Sequence, residues 1–209
     1  MTSLAERERT VLCDLLQEVG PAAPTLCGEW RAAELAAHLV VREGQPAAVG
    51  IAIAPLARWT AKAQRRLSQQ PYTELVARLR HGPPRWSPAR LPKVDVAINT
   101  LELFVHLEDV RRARLGWTER QLSTADQEVL WQHLRRRARP LLRRSTVGVT
   151  LASPTHVYEV VRNGSSDVLL SGLPSELVMY LHGRQQHCHV TLDGDPDAVA
   201  QFEATNLSV

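Results

Sequence analysis

The chain has 209 residues, 44% hydrophobic and 22% charged, the make-up of a globular protein long enough for one large domain or two small ones. No window comes near the roughly 18 apolar residues of a membrane span. The start MTSLAERERT has no apolar signal core, and the odd, scattered Cys13, Cys27 and Cys188 argue against a disulfide framework, so a cytoplasmic location is expected. The net charge of +3 hides a reversal, because residues 1–145 carry 23 basic against 15 acidic side chains and residues 146–209 carry 2 against 7.

In chain order, SLAE (3–6) reads as a capping box opening a helix from about Leu4 to Val19, with Val11, Leu12, Leu15, Leu16 and Val19 on one stripe and Gly20-Pro21 ending it. A second helix is expected from Trp30. It carries Leu35, His38, Leu39 and Val41, and breaks between Gly44 and Pro46. Shorter helices follow at LARWTAKAQRRL and PYTELVARLR, the latter with Pro71 first. HGPPRWSPARLP, with prolines at 83, 84, 88 and 92, reads as a long irregular loop. NTLELFVHLEDVRRARLGW (99–117) reads as one helix, with Gly116 just past its end in positive φ. Another helix runs from a cap at Ser123 or Thr124 towards Leu141. After about residue 145 the texture changes. GVTLAS, HVYEVV, DVLLSG and HCHVTLDG read as strands, with helices at PSELVMYLHG and DPDAVAQFEA. The expected fold class is α+β: a helical bundle over 1–145 and a small α+β unit over 146–209, the same boundary as the charge reversal.

On the 99–117 helix, Glu102 and His106 share a face four residues apart, and Asp109 follows on nearly the same line. His38 stands at the junction of the apolar stripe of the second helix. Side chains so placed converge in the core of an antiparallel bundle, and two His with one carboxylate leave open positions on a divalent cation. The same spacing suits a surface Glu/His pair and a hydrogen-bonded core His, and spacing alone does not choose. Asp109 fits equally a salt bridge to Arg112. Trp30 is expected to pack at the start of the second helix and fix the direction of His38. His187 and His189 fall on one side of the last strand, without a third ligand nearby in sequence. The run RRRARPLLRRS (135–145) reads as a solvated helix end rather than a nucleic-acid surface, because no stacking aromatics interleave it. Cys27 lies in a loop and could be near the cation, although a small buried hydrophobe is the better reading.

The stretches LCGEWRAAELAAHLVVRE (26–43), VDVAINTLELFVHLEDVRRA (94–113), LPSELVMYLHGR and VTLDGDPDAVAQF resemble the maleylpyruvate-isomerase-like branch of the DinB superfamily, and more closely an actinobacterial subgroup described as metal-binding proteins. The resemblance covers most of the chain. Its most specific parts are the Trp-then-His of the second helix and the E-x-x-x-H-x-x-D of the later one. In that family a His of the second helix and the Glu and His of the later helix hold a divalent metal, often zinc, and studied members use the thiol mycothiol. The resemblance therefore implies His38, Glu102 and His106 as metal ligands, with zinc and mycothiol as cofactors. It also implies a DinB-like four-helix bundle ahead of a domain reminiscent of sterol-carrier folds. The subgroup carries a second His directly after the first, where this chain has Leu107. That position lies about 100° round the helix and does not share the metal. The implied function is a thiol-using transferase or isomerase acting on an electrophilic small molecule. Arg42 and Arg111 are candidate anion contacts, no nucleic-acid or membrane partner is expected, and a homodimer is left open. The competing reading is a non-catalytic metal-binding or stress-response module whose metal is mainly structural.

Overall fold

The computed structural model describes residues 2–44, 57–87, 90–162 and 167–207; Pro46, Leu56 and Pro88 lie outside the described residues. The chain divides into two compact units, Met1–Thr118 and Glu119–Val209. That division falls ahead of the 124–141 helix, so this helix belongs with the sheet, and the change from helix to strand near residue 145 lies inside the second unit.

The first unit holds α1 (Leu4–Val19), α2 (Ala32–Gly44), α3 (Ala57–Ser68), α4 (Tyr72–His81) and α5 (Pro92–Arg112). Ser3 and Glu6 form the expected capping box, and Gly20 closes α1 at φ 77°. Leu12 and Leu16 of α1 enter one apolar cluster with Leu35 and Leu39 of α2, Leu75 and Leu79 of α4, and Leu103 and Leu107 of α5. Val11, expected on that stripe, is 45% exposed. Pro71 stands at the N-cap of α4, one position before the expected one.

The central helix is α5. It begins at Pro92, seven residues before the expected Asn99, because the last proline of the loop opens the helix. Its fixed φ suits the first helical position, where its missing N–H is not needed. Leu101, Leu103, Phe104, Val105, Leu107 and Val110 are all buried, and they fall on more than one side of the helix. Leu107, where the resembled subgroup has a second His, is thus core. The helix ends at Arg112 with Ala113 as its cap, so Gly116, although at φ 74°, lies in the following turn and not directly after the cap. That turn brings the Trp117 ring under the Arg112 guanidinium, 4.7 Å from its centroid.

The second unit holds α6 (Thr124–Leu141), β1 (Gly148–Ser153), β2 (His156–Arg162), β3 (Asp167–Ser171), α7 (Pro174–Leu181), β4 (Thr191–Gly194) and α8 (Pro196–Glu203). Among the described residues its sheet has four strands in the order β2-β1-β3-β4. The β1–β2 and β3–β4 pairs are antiparallel, whereas β1 and β3 are parallel. Parallel register sets Val149 beside Val168 and Leu151 beside Leu170. All four are buried, as period-2 alternation requires of a sheet with one covered face. The expected strand HCHVTLDG is shorter than its pattern. Gln185–His187 form a 3-10 turn and pairing starts only at Thr191. The His189 N–H donates to Glu176 Oε2 at 2.9 Å instead of to a strand, so His187 and His189 do not share a strand face. No helix among the described residues is long and apolar enough to cross a membrane.

Candidate metal centre

Asp95, Asn99, Glu102, His106 and Asp109 recur along α5 at spacings of four and three. This 3.5-residue repeat keeps one seam turned towards neighbouring helices. The seam is buried: Asn99 and Asp109 are fully enclosed, and His106 is only 7% exposed. Polar groups so placed need partners, and α1, α2 and the loop between them supply these.

From the N-terminal end, Arg9 Nη1 donates to both oxygens of Glu43 at 2.6 Å and Nη2 to Asp95 Oδ1 at 3.0 Å. Asn99 Nδ2 donates to the same Asp95 oxygen at 2.7 Å, and Asn99 Oδ1 accepts from Arg42 Nη1. Arg42 Nε lies 3.1 Å from Glu102 Oε1. That oxygen also faces His106 Nε2 at 3.2 Å and His38 Nε2 at 3.5 Å. On the other side of the imidazole, His106 Nδ1 meets Asp109 Oδ2 at 2.9 Å, and the Cys27 thiol donates to that same oxygen at 2.9 Å.

The loop that presents Cys27 is tightly built. Thr25 Oγ1 donates to the Trp30 carbonyl and accepts from the Cys27 N–H, and Gly28 turns the chain at φ 61°. The Leu26 N–H donates to the Asp109 carbonyl at 3.1 Å, fastening the loop to α5. Trp30 packs its ring against His38, with centroids 5.0 Å apart, as its place before the helix led us to expect.

Burial pushes the Glu102 carboxyl up. Hydrogen bonds from His106 and His38, with the charges of His106 and Arg42, outweigh this and hold it well below the usual carboxylate range. Burial pushes the His106 imidazole down, but its bonds to Asp109, Cys27 and Glu102 carry it well above its ordinary value.

The side chains of His38, Glu102 and His106 could hold a cation. Bonds of about 2.1 Å in a tetrahedron set ligand atoms about 3.4 Å apart, and the measured 3.2 and 3.5 Å separations bracket that edge. All three ligating atoms of His38, Glu102 and His106 lie within 4.8 Å of one another. Asp109 meets the ring nitrogen pointing away from them, the position from which a carboxylate fixes the tautomer of a metal-binding histidine.

Several expectations change. Arg112 Nε pairs with Glu108 Oε2 at 2.6 Å, and Asp109 Oδ2 faces His106 Nδ1. Neither proposed anion contact is uncommitted: Arg42 serves Glu102, Asn99 and the Ile98 carbonyl, and Arg111 serves Glu108 and the Thr118 carbonyl. Cys27 is a hydrogen-bond donor to the centre, not an inert filler. Asp95 and Asn99 were missed, although extending the Glu102–His106 spacing backwards by three and then four residues finds both. Arg9 was also missed. Its signal is a charge at a four-three position between the buried Ala5, Leu12 and Leu16.

No protein-family model matches the chain, and no curated protein matches it in sequence. Its fold is similar to two solved structures. One is a crystal structure of a His-to-Ala mutant of the mycothiol-dependent maleylpyruvate isomerase, at a TM-score of 0.59 and 17% identity, covering 91% of this chain and 90% of that one. The other is a crystal structure of the mycothiol-dependent maleylpyruvate isomerase, at a TM-score of 0.51 and 19% identity, with the same coverage. The chain therefore has the maleylpyruvate-isomerase-like, DinB-like α+β fold.

Proposed function

We propose that this chain, on the fold it shares with mycothiol-dependent maleylpyruvate isomerase, holds one divalent cation, zinc foremost, on His38, Glu102 and His106, and is a thiol-using transferase or isomerase. The observation that carries the reading is His38. It lies 64 residues before Glu102, yet its Nε2 stands 3.5 Å from Glu102 Oε1 and within 4.8 Å of the His106 ligand atom. The charge count of the seam agrees. The seam holds four carboxylates, Glu43 and Asp95 at Arg9, Glu102 at Arg42 and Asp109 at His106, against the two guanidiniums. A divalent cation beside two neutral imidazoles brings the sum to zero, the Nε2 proton of His106 leaving as the cation enters.

When bound, such a cation supplies Lewis acidity that turns a nearby low-molecular-weight thiol into a thiolate at neutral pH. Asp109 keeps the His106 Nδ1 proton, so that Nε2 points to the centre. Arg42 holds the Glu102 carboxylate, and Trp30 fixes the His38 ring. Side-chain exposure rises from 0% at Asp109 and 9% at His106 to 13% at His38 and 23% at Glu102. The more exposed side of the group is thus that of Glu102 and His38, from which a thiol and an electrophile would enter. A transferase adds the thiol sulfur and its proton across an activated double bond. An isomerase adds the thiol, allows rotation, then expels it unchanged.

The reading as a non-catalytic metal module draws on one observation: Arg42 and Arg111 are both tied to protein groups. Metal analysis of wild type and His38→Ala/His106→Ala tests the centre, and a folded double variant that retains this cation removes the assignment. Cobalt substitution then separates the two functions. A thiolate-to-cobalt charge-transfer band on adding mycothiol, with turnover in an electrophile screen, supports the enzyme. An unchanged spectrum with a loss of thermal stability on metal removal supports the module.

A further inference from the structure

Three other ligating side chains meet in the second unit. Glu119 comes from the segment before α6, Glu176 from the first turn of α7, and His189 from the stretch after the 185–187 turn. We infer that Glu119, Glu176 and His189 form a second divalent-cation site, independent of the first. Their ligating atoms lie within 4.8 Å of one another, and His189 Nδ1 stands 3.5 Å from Glu119 Oε2, again close to the tetrahedral edge of about 3.4 Å.

Burial makes the cluster more than a surface pair. Glu176 is 1% exposed. The His189 N–H donates to its Oε2 at 2.9 Å and helps to orient it. A second carboxylate, Glu119, is aimed at the same point. Two carboxylates converging on one point suit a divalent cation, which attracts both. The His189 side chain is 64% exposed and that of Glu119 29%, so the outer coordination positions open to water. One imidazole nitrogen with two carboxylate oxygens suits zinc or manganese, while magnesium and calcium prefer oxygen alone. In the sequence, His189 lacked a third ligand nearby. The fold supplies two carboxylates from positions 13 and 70 residues away. The bound ion would clip the start of the second unit to α7 and to the chain entering β4.

The test is a titration of chelator-stripped, full-length protein with Zn2+ alone. Wild type is expected to take two equivalents. His189→Ala, at an exposed position, and Glu119→Gln, at a partly exposed one, both checked for fold by circular dichroism, should each take one, as should His106→Ala. A wild type that takes one equivalent, lost in His106→Ala, overturns this site and leaves the first standing. Two equivalents persisting in His189→Ala show adventitious binding and overturn it as well.

Discussion

Asp109 offers the sharpest test of the proposed centre, because its two roles are separable. Asp109→Asn keeps an oxygen that accepts the His106 Nδ1 proton now held at 2.9 Å and removes only the charge. With the cation about 2.1 Å beyond Nε2, that charge would lie roughly 6 Å from a +2 ion. Coulomb's law gives about 1.4 kcal/mol at the dielectric constant of water and about 5.5 kcal/mol at an effective value near 20. Losses on replacing such supporting carboxylates run about 10–100-fold in metal affinity, between those bounds. Asp109→Asn should therefore weaken zinc binding by about 10–100-fold. Asp109→Ala should weaken it further, since the imidazole loses its anchor and the Cys27 thiol its acceptor. Competition with a chromogenic chelator measures the affinities, and circular dichroism confirms that each variant is folded. Wild-type affinity in either folded variant would refute the argument that Asp109 acts on the centre through His106.

Leu107→Ala should cost about 2–5 kcal/mol, as core truncations do. The melting temperature should fall while the metal stoichiometry of the folded protein stays the same; a lost equivalent would mean that position 107 serves the site. Burial, helped by the charges of Arg136 and Arg137, holds the His133 imidazole below its usual 6.5. The unfolded chain therefore takes up the proton first, so this contribution to stability is complete above about pH 6.5 and is lost as pH falls through that value. Wild type should thus lose ground to His133→Gln between about pH 7.5 and pH 5. Melting temperatures that keep a constant gap across that range would show that His133 is not held neutral.

The local signals in the sequence carried furthest where one chemical rule decides. The capping box at Ser3 and the cap at Ser123 gave helix starts that the structure keeps. Trp30 was legible as the neighbour of His38. Where two rules competed, the reading slipped. Pro92 was counted with the loop prolines, yet at the head of an apolar run it begins α5. The alternation of HCHVTLDG suggested a longer strand, but the buried Glu176 carboxylate captures the His189 N–H that a longer strand would use. The Glu102/His106 pair was visible from helical spacing, whereas the bond from Cys27 to Asp109 spans 82 residues and no local pattern announces it. Arg112 lay within reach of both Asp109 and Glu108, and sequence could not say that it pairs with the carboxylate four residues back.

The charged seam of α5 also has a temporal side. Its partners, Arg9, Cys27, His38, Arg42 and Glu43, all leave the ribosome before it does. Arg9 precedes Asp95 by 86 residues, a wait of about 4–17 s at synthesis rates of about 5–20 residues per second. Until α5 emerges, packing α1 on α2 would bury the His38 imidazole and the Arg42 guanidinium before they meet Glu102, and would leave Arg9 with Glu43 but without Asp95. The early helices are therefore held open by their own charges. The first unit should stay labile to protease on the nascent chain until the segment through Asp109 is out, and then close in one step.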